Sequence, residues 1–110
     1  MSAIVPDRGN LVTLNFSPQS GNEQAGLRPA IVISPQLFNK WKFALVCPIT
    51  NQKKGYPFEV ELPQGLNVNG IILTDQVRTL DWRARNLRVV GQAPQEVVDQ
   101  CITLIKTFAT

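Results

Sequence analysis

Short apolar segments separated by glycine, proline and asparagine make up most of this chain. Residues 11–16 (LVTLNF) and 58–62 (FEVEL) alternate between apolar and polar positions, as strands with one buried face do. Brief apolar runs predict further strands at 30–33, 43–46, 70–73 and 87–90, with the run at 43–46 ended by Pro48. Because most of these strands have no helix-length segment between them, we expect a largely antiparallel sheet that curls into a small barrel.

The hydrophobic period changes after Ala93. Pro94 suits the first position of a helix, and Glu96 suits its first turn. An amphipathic helix is therefore expected to pack against the barrel, with an apolar face broad enough to serve a dimer contact as well. That face comprises Val97, Val98, Cys101, Ile102, Leu104, Ile105 and Phe108.

Residues 81–85 (DWRAR) predict a single helical turn before the last strand. The carboxylate of Asp81 suits the cap of such a turn, because it accepts hydrogen bonds from free backbone N–H groups. Trp82 is expected to anchor the turn to the core.

Length and composition indicate one domain, residues 1–110, with 44% hydrophobic residues to form its core. No apolar run approaches the ~20 residues of a membrane span or resembles a signal peptide, so we expect a cytoplasmic protein. The chain has no histidine, which removes imidazole as a general base or metal ligand. Its two cysteines, Cys47 and Cys101, are expected to be buried thiols rather than a disulfide.

The net charge of +3 is concentrated in two basic stretches. Residues 40–54 contain four lysines and no acid, and residues 78–88 contain four arginines and one acid, Asp81. Two such stretches in a small domain suggest a polyanionic partner, although an ordinary solvated surface would account for the same charges.

Two predicted loops carry candidate chemistry. The long polar segment 17–27 contains one acid, Glu23, and Arg28 follows it in a position that Pro29 restrains towards extended geometry. The segment 47–57 contains Thr50, Lys53, Lys54 and Tyr56, which offer a hydroxyl, two cations for phosphates and a ring for base stacking.

Five segments resemble the MazF/PemK toxins of bacterial type II toxin–antitoxin systems, and together they span nearly the whole chain. They are residues 5–9 (VPDRG), 21–30 (GNEQAGLRPA), 54–60 (KGYPFEV), 75–78 (DQVR) and 82–85 (WRAR). The resemblance implies a mainly β fold with a C-terminal helix, a small SH3-like antiparallel barrel of the MazF/PemK/CcdB type, and a homodimer. It also implies a metal-independent endoribonuclease that needs no cofactor, cuts single-stranded RNA (mRNA) at short sequences and is silenced by an acidic MazE-like antitoxin with a disordered tail.

The resemblance places catalysis on Arg28 and Thr50, with Glu23 as a further candidate. Seven more residues are expected to bind RNA: Lys53, Lys54, Tyr56, Gln76, Arg78, Arg83 and Arg85. Some relatives carry histidine immediately before the Arg-Pro pair, where this chain has Leu27. A mechanism that needs that imidazole cannot operate here.

The chemistry of RNA cleavage fits these residue types. RNA supplies the 2′-hydroxyl nucleophile, Glu23 is the leading general base, Arg28 stabilises the phosphorane, and Thr50 donates its hydroxyl. Each residue also has a purely structural interpretation: Glu23 as a solvated loop carboxylate, Arg28 in an ion pair with Asp75 or Asp7, and Thr50 as a turn residue.

The remaining charged residues fit more than one role. Lys53, Lys54, Arg83 and Arg85 would equally suit a solvated surface, and Arg83 and Arg85 would also suit an antitoxin contact. Glu59 and Glu61 share one strand face, but two carboxylates are weak evidence for a metal, and an exposed face is favoured. A second function class, a non-catalytic protein-binding toxin of the same fold and of the gyrase-poison type, is consistent with the same basic surface.

Overall fold

The fold is a seven-stranded antiparallel sheet with a C-terminal helix, within residues 4–16 and 26–109, which the computed structural model describes. The strands lie in the order β4-β5-β3-β2-β1-β7, and β6 pairs with β3. The predicted mainly β architecture with a C-terminal helix is confirmed. The strands are β1 (Asn10–Asn15), β2 (Leu27–Val32), β3 (Phe43–Thr50), β4 (Glu59–Glu61), β5 (Ile71–Leu73), β6 (Arg78–Asp81) and β7 (Arg88–Gln92). The helices are α1 (Gln36–Asn39) and α2 (Gln95–Ala109), with a 3₁₀ turn at Thr74–Gln76.

The central strands are buried on both faces. Leu11 and Val12 are adjacent and both fully buried, and they belong to two different apolar clusters. One cluster includes Val97, Val98 and Cys101 of α2, and the other includes Trp82. The prediction of a half-buried strand at 11–16 is therefore wrong, because side chains alternate across a sheet that is covered on each side.

Strand β3 continues through Pro48, so the prediction that this proline ends it is also wrong. Residues 43–46 pair with β6, whereas Ile49 and Thr50 pair with β5. The N–H of Leu45 points to the β2 side, where it donates at 2.8 Å to Oγ of Ser34, just beyond the end of β2. Because successive backbone groups alternate in direction, the nitrogen of Pro48 faces the opposite edge. Pro48 thus lies where β3 changes partner, and its missing N–H removes no ladder hydrogen bond there.

Residues 82–86 form a hydrogen-bonded turn rather than the predicted helical turn. Asp81 Oδ1 accepts from the N–H of Ala84 at 3.2 Å, as expected of a cap. Trp82 is fully buried, and its Nε1–H donates to the carbonyl of Asn39 at 2.7 Å. The predicted anchoring role of Trp82 is confirmed, and it ties the turn to α1, an element that the sequence pattern did not predict.

Helix α2 begins at Gln95, one residue later than predicted. Its N-terminal half packs on the sheet through Val97, Val98 and Cys101, while Phe108 is 46% exposed. The apolar face therefore extends beyond what the described residues cover. No helix in the described ranges has the length and apolar character to cross a bilayer.

Both cysteines are buried free thiols. Burial raises the pKa of Cys101 to about 12. The pKa of Cys47 is raised further, chiefly by burial and then by the neighbouring Cys101 and Asp75. Neither thiol is a nucleophile at neutral pH, because the reactive thiolate is suppressed.

Candidate active site

A groove of about 660 Å³ opens where β2, β3 and β6 come together. Strands β2 and β3 pair with Ala30 opposite Pro48, and the same register continued by two residues brings Arg28 opposite Thr50. Arg28 and Thr50, the two catalytic candidates on described residues, therefore line one groove. The other lining residues are Phe16, Pro29, Pro48, Ile49, Asn51, Gln52, Leu73, Gln76 and Arg78.

Arg28 is exposed on β2, and its guanidinium has no ion pair with any described carboxylate. Asp7, one of the two carboxylates considered as its ion-pair partner, instead accepts the backbone N–H groups of Arg8 and Gln36, each at 2.8 Å. As far as residues 4–16 and 26–109 are concerned, the guanidinium is thus available to an anion that enters the groove. Its planar fork matches two oxygens of a phosphate.

Thr50 is the last residue of β3 and is half-buried. Its Oγ1 accepts a hydrogen bond from the N–H of Gln52 at 3.2 Å, so Thr50 does form a local turn contact, which was its structural interpretation. This bond uses an acceptor site of the hydroxyl and leaves its hydrogen to be donated. The turn contact and donation to a substrate oxygen are therefore compatible.

Arg78 adds a second cation to the groove from β6. Its guanidinium carbon lies 5.5 Å from the centre of the Phe16 ring. Gln76 lies two residues earlier, in the 3₁₀ turn, and lines the same groove. The structure thus places two of the seven predicted RNA-binding residues beside the catalytic candidates.

A smaller pocket of about 130 Å³ adjoins the groove and shares Thr50, Gln52, Leu73 and Gln76 with it. Lys54 and Tyr56 line this pocket. The ring of Tyr56 stacks on that of Phe58, with centroids 5.1 Å apart and planes 11° from parallel. Two further predicted RNA-binding residues therefore lie next to the groove, on the segment that follows Thr50.

Lys53 lines neither the groove nor the smaller pocket. Its Nζ lies 3.2 Å from Glu61 Oε1, with both side chains more than half exposed. An exposed pair of this kind contributes at most about 1 kcal/mol, so it leaves Lys53 able to exchange Glu61 for another anion. Within the described ranges no group of three or more His, Cys, Asp or Glu residues is arranged to hold a metal ion.

Arg83 and Arg85 do not line the groove. The guanidinium of Arg83 lies 4.1 Å from the centre of the Trp82 ring. Arg85 Nη1 donates to the carbonyls of Asn15 and Phe16 at 3.3 and 3.0 Å. Arg85 therefore supports the end of β1, next to the Phe16 ring that the groove does use.

Glu23 lies outside the described residues. Phe16, Gln52 and Leu73 line the groove but were not predicted to do so. Their positions depend on strand ends that meet only in the folded sheet. Gln52 had one usable signal, since it stands two residues after Thr50 in the same polar segment.

Comparison with known proteins shows the family to which this chain belongs. Residues 7–109 match the model of the PemK-like, MazF-like toxin of type II toxin–antitoxin systems. The chain is 48% identical over 99 residues to the endoribonuclease toxin MazF of Escherichia coli K12, covering 88% of each protein. The crystal structure of MazF from Deinococcus radiodurans superposes with a TM-score of 0.87 at 44% identity, covering 97% of this chain and 98% of that one. A MazE–MazF crystal structure from the same organism superposes with a TM-score of 0.87 at 40% identity, covering 97% of each chain.

Proposed function

Because this chain belongs to the PemK-like, MazF-like toxins of type II toxin–antitoxin systems, we propose that it is an endoribonuclease toxin that cuts single-stranded RNA. The cleavage is sequence-selective and independent of metal ions, and it inhibits translation and growth. The protein acts in the cytoplasm, where its mRNA substrate is found.

One observation carries the proposal. Arg28 and Thr50 line the same groove from neighbouring strands, with the guanidinium unpaired by any described carboxylate and the hydroxyl hydrogen free to donate. A cation and a neutral donor placed together suit the negative charge that develops on a phosphate during displacement.

The reaction follows from those groups and from the substrate. The ribose 2′-oxygen attacks phosphorus and loses its proton to a general base, while the bond from phosphorus to the 5′-oxygen breaks and that oxygen takes up a proton. The products are a 2′,3′-cyclic phosphate and a 5′-hydroxyl. Arg28 stabilises the charged phosphorane oxygens, and Thr50 donates to one of them.

Glu23 is our proposed general base, since the chain contains no histidine. Leu27 occupies the position before the Arg-Pro pair and is 41% exposed on β2, so this strand offers Arg28 no imidazole beside it. A carboxylate with an ordinary pKa of about 4.3 is a weak base, and cover by bound substrate would raise that pKa by removing water.

We propose a homodimer and an acidic, MazE-like antitoxin with a disordered tail as partners. The crystal structure of the MazE–MazF complex from Deinococcus radiodurans supports the antitoxin, and the incompletely covered apolar face of α2 supports the dimer. A groove that presents Arg28 and Arg78 attracts an acidic peptide and an RNA by the same charges. Antitoxin and RNA are therefore expected to compete, with an antitoxin affinity that falls as salt rises.

The decisive experiment maps the cut ends on a long RNA in the presence of a chelator. We expect discrete fragments with 2′,3′-cyclic phosphate and 5′-hydroxyl ends, and no cleavage where the ribose at the cut site is replaced by deoxyribose. Cleavage of the deoxyribose substrate would rule out attack by the 2′-hydroxyl. Loss of activity with chelator would rule out metal independence, and an uncut pool of mixed RNA would favour the non-catalytic, gyrase-poison type of toxin.

A further inference from the structure

The segment between β3 and β4 forms one wall of the smaller pocket beside the groove. We call residues 52–58 the 52–58 loop. It carries Lys54 and Tyr56, while the facing wall of the pocket comes from Asp75 and Gln76 of the 3₁₀ turn. The pocket shares Thr50 and Gln76 with the groove, so under the proposed function this loop is within reach of RNA bound there.

The 52–58 loop has little backbone hydrogen bonding of its own. Among the described residues its main-chain contact within the loop region is the Glu59 N–H donating to the Tyr56 carbonyl at 3.2 Å. A loop of this kind takes its shape from side chains that satisfy its free N–H groups. Glu59, the first residue of β4, provides such a side chain.

The carboxylate of Glu59 accepts two successive N–H groups of the loop. The N–H of Gly55 donates to Oε1 at 3.0 Å, and that of Lys54 lies 3.3 Å from both carboxylate oxygens. Gly55 has a φ of 81°, a conformation that side-chain-bearing residues rarely adopt. This bend lies between the two N–H groups and Glu59, so it turns the chain that leads to Glu59.

The far end of the loop is fixed independently. Thr74 is fully buried, and its hydroxyl donates to the carbonyl of Phe58 at 2.5 Å. Tyr56 stacks on Phe58. The loop is therefore held at Phe58 from the 3₁₀ turn and at Lys54 and Gly55 from the Glu59 carboxylate. Removal of the second restraint releases the part that bears Lys54, whereas Tyr56 keeps its stacking on Phe58.

We infer that Glu59 is a positioning residue for RNA binding, whose carboxylate holds the backbone of Lys54 and Gly55, and with it the Lys54 side chain, at the pocket beside the catalytic groove. This inference rests on the proposed function. Glu59 acts through the backbone of the 52–58 loop, whereas Arg28 and Thr50 are carried by β2 and β3. Its loss is expected to weaken binding of RNA and to leave the bond-breaking step nearly unchanged.

From its charge alone, removal of the Glu59 carboxylate would be expected to strengthen RNA binding rather than to weaken it. Removing a carboxylate from a surface that binds RNA should strengthen binding, since less negative charge then opposes the phosphates. A weaker affinity after neutralising Glu59 therefore separates a positioning role from a general charge effect. Glu61 is the matched control, because it lies two residues along the same strand and, among the residues that the structure describes, its carboxylate bonds only to the exposed side chain of Lys53.

The test compares Glu59→Gln with Glu61→Gln in steady-state cleavage of one RNA. Glutamine keeps one uncharged acceptor oxygen, so it cannot accept both N–H groups as the carboxylate does. For Glu59→Gln we therefore expect KM to rise roughly tenfold, which corresponds to about 1.4 kcal/mol, with kcat within about twofold. For Glu61→Gln we expect KM to stay within about twofold or to fall. Equal KM values for the two variants, or a loss confined to kcat, would overturn the inference.

A second pair of variants disturbs the loop without touching either carboxylate. Gly55→Ala strains the left-handed bend while meeting no neighbouring atom within 4 Å, and Gly65→Ala does the same at a φ of 92° in a separate loop. We expect Gly55→Ala to reproduce the KM rise and Gly65→Ala to leave KM unchanged, with thermal unfolding confirming that both fold. An inactive wild-type protein would refute the proposed function itself, whereas an active one with no difference between the pairs would refute only the role of Glu59.

Discussion

The arginines of the groove differ from those of the turn after β6 in whether the guanidinium group is occupied by contacts within the protein. Arg28 and Arg78 line the groove, where no described carboxylate forms an ion pair with either. Arg83 lies over the Trp82 ring, and Arg85 donates to main-chain carbonyls at the end of β1. Three of these four belong to one basic stretch of the sequence, yet only one of the three faces the groove.

The difference shows that local charge density does not identify a binding surface by itself. The backbone carbonyls at the end of β1 need donors, and Arg85 supplies them. Among the described residues, no backbone carbonyl makes such a demand on Arg28. Which arginine remains available to a ligand is thus decided by the hydrogen-bonding needs of the surrounding backbone.

Removal of Arg28 is expected to have the largest effect of any change to these arginines. We expect Arg28→Ala to raise the barrier for RNA cleavage by at least about 2.7 kcal/mol, roughly a hundredfold in rate, as the loss of one preorganised donor does. The side chain is exposed and lacks a structural partner in the described ranges, so thermal stability should be unchanged. Single-turnover cleavage measures the rate, and a variant within a few-fold of wild type would overturn the catalytic assignment.

Replacement by lysine tests whether the shape of the guanidinium matters as well as its charge. Arg28→Lys keeps the charge but lacks the planar fork that meets two phosphate oxygens. We expect it to recover only part of the lost rate. Full recovery would mean that Arg28 acts as a point charge alone.

Much of the fold was predictable because strand patterns and the helical period are local. The sheet, the C-terminal helix and the anchoring of Trp82 follow from the order of apolar residues and turn residues. The features that were predicted wrongly or missed depend on pairing between strands that are distant in the sequence. Pro48 is tolerated only because β3 exchanges β6 for β5 at that point, and β6 itself was missed because Arg78 and Thr79 are exposed.

The candidate site, too, was predictable only in part. Arg28 and Thr50 were predicted as partners by resemblance, and the structure places both on one groove. The support that Glu59 gives to the 52–58 loop was not predicted, because an alternating strand shows only that its carboxylate points outward. A hydrogen bond to a backbone N–H four or five residues away leaves no mark in the hydrophobic pattern.

Removal of Arg85 tests the structural half of the comparison. Arg85→Ala leaves the carbonyls of Asn15 and Phe16 without this charged donor, so we expect the free energy of unfolding to fall by about 1.5–3 kcal/mol. Arg83→Ala, which removes an exposed cation from the Trp82 ring, should lower it by about 1 kcal/mol or less. Chemical denaturation of both variants measures the two values. Equal stabilities would show that Arg85 does not differ from a surface arginine.

Arg78 provides the smallest and most specific test, because it is the groove cation for which we propose binding without catalysis. Arg78→Ala should reduce the dependence of log affinity on log salt by about 0.7 for single-stranded RNA, the amount expected for one lost phosphate contact. Arg88→Ala is the matched control, since Arg88 is also exposed but lies on β7 and does not line the groove. Both variants lose one positive charge, so a purely long-range effect of net charge would change their salt dependence equally. A smaller slope for Arg78→Ala alone would show that an arginine binds RNA here because of its place in the groove, and equal slopes would remove Arg78 from the binding surface.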